Sequence, residues 1–198
     1  NYLKNKVYIV FPLQFEPEAT SSVRGYPNSN QINIIEHLSK NIDEDTYIVV
    51  KEHKGNEGYR LIEDYIKINS YKNVILIDKD CENSQLIRNS SGVITINSTF
   101  ALEAYFNSKP IILLGRCYWM HLKGLKRVSH YQELNKDYIK KFILNNKNKE
   151  DLSLDEETIM YFYAYYLCVR DGNMLTKEKE FLSKKNVFKF MNILSEFN

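Results

Sequence analysis

The tripeptide Asn97-Ser98-Thr99 lies between the apolar run Val93–Ile96 and a helical pattern that follows it. Hydroxyls at such a turn can simply cap the helix. Together with free backbone N–H groups and the helix dipole they can also cradle a phosphate. Glu103 falls four residues after Thr99 on the same helical face. Its carboxylate is placed to accept hydrogen bonds from a ribose diol, or it is an ordinary surface glutamate. A second polar cluster, Lys51-Glu52-His53-Lys54, closes an earlier apolar run, Tyr47–Val50. A histidine there can donate a hydrogen bond or carry positive charge toward the phosphate of a leaving nucleotide; otherwise it is a loop histidine without a task. Lys51 and Lys54 raise the local positive potential, and Arg60 is a weaker candidate for the same work. When a group leaves a nucleotide, negative charge grows on the departing phosphate oxygen, and fixed donors must meet it. Two strand ends of this kind point first to a nucleotide-dependent enzyme, with His53 as the candidate catalytic residue.

Gln14, Glu16, Glu18 and Arg24 share a long loop after the first apolar run. Neighbouring glutamates suit a general base pair as well as a polar cap, and the sequence does not choose. Other chemistries lack their marks. No Gly-x-Gly-x-x-Gly follows the first strand, no Gly-x-x-x-x-Gly-Lys-Ser/Thr is present, and no Gly-x-Ser-x-Gly occurs. The histidines have no metal-ligand spacing. Neither a metal nor a cofactor is expected.

The elements that must position these residues alternate. Lys6–Phe11, Tyr47–Val50, Asn73–Asp78, Gly92–Ile96 and Pro110–Gly115 read as strands. Helices are expected near 31–41, capped by Ser29 or Asn30, and near 59–68, with Leu61, Ile62, Tyr65 and Ile66 inward. A short helix near 83–89 and another at 99–107 complete the alternation. Continuous apolar runs alternating with helices argue an α/β fold: a Rossmann-like parallel sheet with helices on both faces, in core order 3-2-1-4-5. Beyond Gly115 the character changes. Helices are expected at Tyr131–Asn145, at Thr158–Val169, ended by Asp171-Gly172-Asn173, and at 176–196. The reading divides the chain into a nucleotide-binding core, 1–116, and a helical extension, 117–198, packed on the same domain.

At 198 residues, with 43% hydrophobic and 13% aromatic side chains, the chain can bury a full core. Its 27 basic and 25 acidic residues balance too closely to imply nucleic acid. Residues 121–150 carry eight Lys or Arg against three Asp or Glu. That stretch suits an anionic substrate, a membrane surface or an ordinary solvated face. Three widely spaced cysteines suggest free thiols in a reducing compartment. No run is long and apolar enough to span a bilayer. The chain starts at Asn1 rather than Met, so part of an active site is expected to lie outside it.

Several segments taken together resemble bacterial capsule polysaccharide biosynthesis proteins. They are Phe11-Pro-Leu-Gln-Phe-Glu-Pro-Glu-Ala-Thr20, Lys51-Glu-His53, Leu86-Ile-Arg-Asn-Ser90 and Ile96-Asn-Ser-Thr-Phe-Ala-Leu-Glu-Ala104 with Lys109-Pro110. Those proteins are similar to glycosyltransferases of the GT-B type with two Rossmann-like domains, including Kdo transferases that use a CMP-activated sugar. The resemblance covers roughly residues 6–116 and matches the carboxy-terminal, donor-nucleotide half. It implies that His53 contacts the donor phosphate, although Lys54 stands where the family has proline. It implies that Ser98 and Thr99 hold the same phosphate and that Glu103 binds the ribose. A family Gln-Pro element is echoed by Gln14 and Pro17. The resemblance further implies a nucleotide-sugar donor, a glycan or glycolipid acceptor, and an amino-terminal domain, absent here, that brings the base. On that reading the fragment alone is inactive. The setting it implies is the cytoplasm, with peripheral contact at the inner membrane. A nucleotide-sugar epimerase, a polyol-phosphate transferase and a non-catalytic scaffold module of capsule assembly remain the alternatives.

Overall fold

In the computed structural model the apolar runs become strands of one parallel sheet, ordered β3-β2-β1-β4-β5-β6. The structure describes residues 3–56, 58–144 and 156–168. The strands are β1 (Val7–Pro12), β2 (Thr46–Lys51), β3 (Val74–Ile77), β4 (Gly92–Thr95), β5 (Ile111–Leu113) and β6 (Lys126–Arg127). Between them run α1 (Ala19–Ser22), α2 (Gln31–Lys40), α3 (Ile62–Asn69), α4 (Asn83–Asn89) and α5 (Phe100–Phe106), and after β6 comes α6 (Lys136–Ile139). The expected core order 3-2-1-4-5 is borne out, with one further strand beyond it. The chain divides into two compact units, Asn1–Asp155 and Glu156–Asn198. β6 and α6 lie beyond residue 116 and belong to the first. In the second, α7 (Glu156–Cys168) matches the helix expected at 158–169. The expected break at 171–173 and helix at 176–196 lie outside the described residues.

Strand alternation explains why both faces are apolar. Ile9 and Phe11 of β1, Ile48 and Val50 of β2, and Ile94 of β4 share one cluster with Ile35 and Leu38 of α2 and with Leu134, Ile139 and Ile143. Residues of the other parity serve the opposite face. There Tyr8 is buried, and its hydroxyl donates to the Leu86 carbonyl of α4 at 2.8 Å. Asn30 caps α2 by accepting from the Asn33 N–H at 2.9 Å.

Two expectations are corrected. The stripe Leu61, Ile62 and Ile66 does not face the core; these residues are 66%, 68% and 65% exposed. α3 starts only at Ile62, and its inward contact is Ile68, which is fully buried. Tyr65 is held by its hydroxyl, which donates to Glu52 Oε2 at 2.8 Å. The single helix expected at 131–145 is also broken. A 3-10 turn at Tyr131–Glu133, capped by His130, gives way to α6 and then to a wider π turn at Lys140–Leu144. Asn135 starts α6 afresh by accepting from the Tyr138 N–H, so the two helical pieces cannot merge.

Candidate functional site

From β1 the chain passes to β2 and β3 on one side, while β4, β5 and β6 lie on the other. The loops after β1 and β4 therefore part, and a crevice opens at the carboxyl edge where an open α/β sheet takes ligands. A cleft of ≈ 210 Å³ lies there. Five of the expected residues line it together: Lys51 at the end of β2 and His53 after it, and Ser98, Thr99 and Glu103 after β4. Pro12, Leu13, Glu52, Lys54, Asn83 and Phe100 complete the wall.

Lys51 is 5% exposed, and its Nζ donates to the Lys79 carbonyl at 2.6 Å. Burial pushes its pKa below the usual lysine value, and the neighbouring Lys54 adds to the shift. A buried ammonium short of hydration is a strong partner for an incoming anion. The exposed His53 ring accepts the Gly55 N–H on Nδ1 at 3.0 Å. In the neutral ring the proton then sits on Nε2, which is left as a donor. Phe15 lies against the ring with centroids 6.3 Å apart, and the His53 N–H donates to Glu52 Oε1 at 2.8 Å.

The two hydroxyls differ. Ser98 Oγ accepts the Phe100 N–H at 3.3 Å, so it serves as a cap. Thr99 occupies the cap position with helical backbone angles and makes no side-chain cap bond. The exposed Thr99 hydroxyl is thereby available to a ligand. α5 has only seven residues, so local N–H and O–H groups outweigh any long helix dipole. Glu103 is exposed, and its Oε1 accepts from Asn83 Nδ2 at 3.2 Å. Asn83 reads from sequence only as the start of a short helix; the site brings it beside Glu103.

The remaining expected residues lie outside the lining. Gln14 Nε2 donates to Asn97 Oδ1 at 2.6 Å, tying the end of β1 to the end of β4. Gln14 Oε1 is buried without a hydrogen-bond partner among the described residues. Asn97 Nδ2 donates to the Arg116 carbonyl at 3.3 Å. Arg60, expected to face the phosphate, is turned to other work. Its Nε donates to Glu52 Oε2 at 3.2 Å, one terminal nitrogen reaches Glu16 Oε2 at 3.4 Å, and the other reaches the Gln14 carbonyl at 3.2 Å. It braces two loops from behind the cleft wall. Glu16 is thus half of an ion pair with Arg60. Asn28, missed from sequence, is fully buried and donates to the Leu114 and Ser129 carbonyls at 2.7 and 3.0 Å, pinning the long loop to the far side of the sheet. Among the described residues no group of three or more His, Cys, Asp or Glu could hold a metal ion, and no helix is long and apolar enough to cross a membrane.

A family model described as capsule polysaccharide biosynthesis protein matches residues 1–159. The capsule polysaccharide export protein KpsS of Escherichia coli is 27% identical over 122 residues, 57% of this chain and 31% of that protein. The capsule polysaccharide modification protein LipB of Neisseria meningitidis is 25% identical over 120 residues, 57% of this chain and 29% of that protein. The chain spans about a third of the length of these curated relatives. Among solved structures, KpsC of Thermosulfurimonas dismutans, a beta Kdo 2,7 transferase, is similar with a TM-score of 0.51 at 16% identity. The match covers 82% of this chain and 55% of that one. At that identity the likeness is one of fold.

Proposed function

The chain belongs to the capsule polysaccharide biosynthesis protein family, and from that membership we propose that its cleft binds the nucleotide of an activated sugar, as the donor side of a glycosyltransferase. The observation that carries this reading is the meeting of Lys51, His53, Ser98, Thr99 and Glu103 in one cleft at the switch point of the sheet. Lys51 and the Nε2 donor of His53 meet the phosphate charge as it grows on departure. Ser98 and Thr99 supply hydroxyls to the same phosphate, and Glu103, steadied by Asn83, accepts from the ribose. Gln14, Asn97 and Arg60 position the loops that carry these groups. A CMP-sugar is the first choice of donor and a UDP-sugar the second. The acceptor is a glycan or glycolipid, and the base that activates it comes from outside these residues. Nucleotide binding without turnover is expected of the 198-residue chain. The work belongs at the cytoplasmic face of the inner membrane, where activated sugars are made.

Calorimetry against CMP, UDP, CDP-glycerol and UDP-GlcNAc tests the reading. A hydrogen bond to a charged group contributes about 1.5–3 kcal/mol. His53→Ala and Thr99→Ala should each weaken CMP binding by roughly one to two decades. Glu103→Ala should weaken CMP more than inorganic pyrophosphate, which has no ribose. Unchanged CMP affinity in a folded His53→Ala variant removes His53 from the site. No nucleotide binding at millimolar concentration favours a scaffold module instead. Product analysis with the longer protein separates sugar transfer from epimerisation or phosphoryl transfer.

A further inference from the structure

The two edges of the sheet are finished differently. β6 is two residues long, and both, Lys126 and Arg127, are charged and exposed. Shortness and charge keep such an edge from pairing with another chain. β3, at the opposite edge, is Val74-Ile75-Leu76-Ile77, with no charge and no proline. Asn73 and Ile77 turn their carbonyls to β2, accepting from the Ile48 and Glu52 N–H groups at 2.8 and 3.5 Å. Successive residues of a strand point their peptide groups to opposite sides, so the Leu76 N–H and C=O and the Val74 C=O look outward. Among the described residues no strand lies beyond β3. Both faces beside this edge are apolar. Leu76 packs half-buried on the main cluster, while Ile75 and Ile77, also half-buried, belong to the opposite face. α3 lies on the cluster side, where its Ile68 is buried. Lys67 turns toward α2 and pairs there with Glu36 at 2.8 Å. The exposed Ile62 and Ile66 are one turn apart on the side of α3 turned away from α2, the side of the open edge. The charges at the two ends of β3 are of opposite sign. Lys72 precedes the strand and Asp78 follows it, at equal spacing from Ile75, and both are exposed. Among the described residues neither belongs to an ion pair.

We propose that β3 pairs antiparallel with β3 of a second copy of this chain, about a two-fold axis through Ile75, so that the two sheets become one. In that register Val74 stands opposite Leu76 of the copy, Ile75 opposite Ile75, and Lys72 opposite Asp78 at both ends. Each outward Leu76 N–H donates to a Val74 carbonyl of the copy. The axis is perpendicular to the sheet, so both α3 helices stay on one face and their Ile62 and Ile66 side chains cover each other. None of this rests on the reading of the cleft. Sedimentation equilibrium of the 198-residue chain should show a monomer–dimer equilibrium that closes at two copies. Ile66→Lys/Ile75→Lys, on an exposed and a half-buried position, should be monomeric and folded by circular dichroism. Lys72→Glu sets like charges opposite each other and should weaken the dimer roughly tenfold. Lys72→Glu/Asp78→Lys should restore it. Non-hydrogen-bonded neighbours across an antiparallel pair have Cα atoms about 4.5 Å apart, within reach of a disulfide. Ile75→Cys in a Cys81→Ser background should therefore cross-link two copies on mild oxidation, and Phe106→Cys in the same background should not. A monomer even at high micromolar concentration, or a dimer that survives in the folded Ile66→Lys/Ile75→Lys variant, overturns the proposal. A dimer that Ile75→Cys does not cross-link, or that the charge exchange does not restore, overturns it as well.

Discussion

Arg60→Ala should destabilise the protein strongly, although Arg60 does not line the cleft. The Arg60 side chain is 1% exposed and that of its partner Glu52 is 12% exposed, at 3.2 Å. Removing one member of a buried ion pair typically costs about 3–5 kcal/mol, because the other charge is left uncompensated. Glu52 keeps two donors, the Tyr65 hydroxyl and the His53 N–H, both at 2.8 Å. This moves the expected cost to the lower end. The Glu16 contact, at 3.4 Å and with Glu16 35% exposed, adds less than about 1 kcal/mol. A loss of about 3 kcal/mol follows, which lowers the melting temperature of a chain this size by roughly 6–12 °C. Trp119 is the one tryptophan of the sequence and is fully buried, so its fluorescence follows unfolding in urea. The Arg60→Ala/Glu52→Gln double variant should recover about 1–2 kcal/mol relative to simple addition of the two single losses, because the stranded carboxylate is gone. A loss below about 1 kcal/mol in Arg60→Ala, or strict additivity in the double variant, would refute the brace.

Asn28→Ala removes two donated bonds and the acceptor of the Tyr131 N–H at 2.8 Å from a fully buried position. It should cost about 2–3 kcal/mol and speed hydrogen exchange of the Tyr131 amide. For Lys51, burial holds the folded pKa below the ordinary 10.5. Between those values the unfolded chain binds the extra proton, so stability should rise with pH through that window. Lys51→Met should abolish the rise in a pH series of urea midpoints and also weaken CMP binding. Hydrogen bonds from Lys40 and Lys67 hold Glu36 down at about 2, against its ordinary 4.5. Its contribution is therefore full above pH 4.5 and is lost as pH falls toward 2. Glu36→Gln should flatten that acid-range slope, and added salt should shrink it in the wild type.

The runs Val7–Phe11, Tyr47–Val50 and Val93–Ile96 identify buried parallel strands because each must be apolar on both faces. Lys51–Lys54 and Asn97–Thr99 are legible for a related reason, since polar residues directly after such a run must leave the core at the sheet's edge. That Lys51, His53, Ser98, Thr99 and Glu103 share one cleft follows from the strand order, which sets the ends of β2 and β4 on either side of the end of β1. Periodicity failed at α3. Leu61, Ile62 and Ile66 mark a helical face, but spacing does not say whether that face meets the sheet or solvent; the hold of Glu52 on Tyr65 and the burial of Ile68 reveal its orientation. Arg60 was recognisable as a cation, yet its task was set by Glu52 and Glu16 on other loops. Asn28 gave no local signal because its partners lie 86, 101 and 103 residues away. Local patterning is dictated by which side chains one strand or helix must bury, so it can be read from neighbours in the chain. The partner of a polar group is decided only when the sheet brings distant loops to the same edge, where a buried donor or charge takes whichever acceptor the fold has placed within reach.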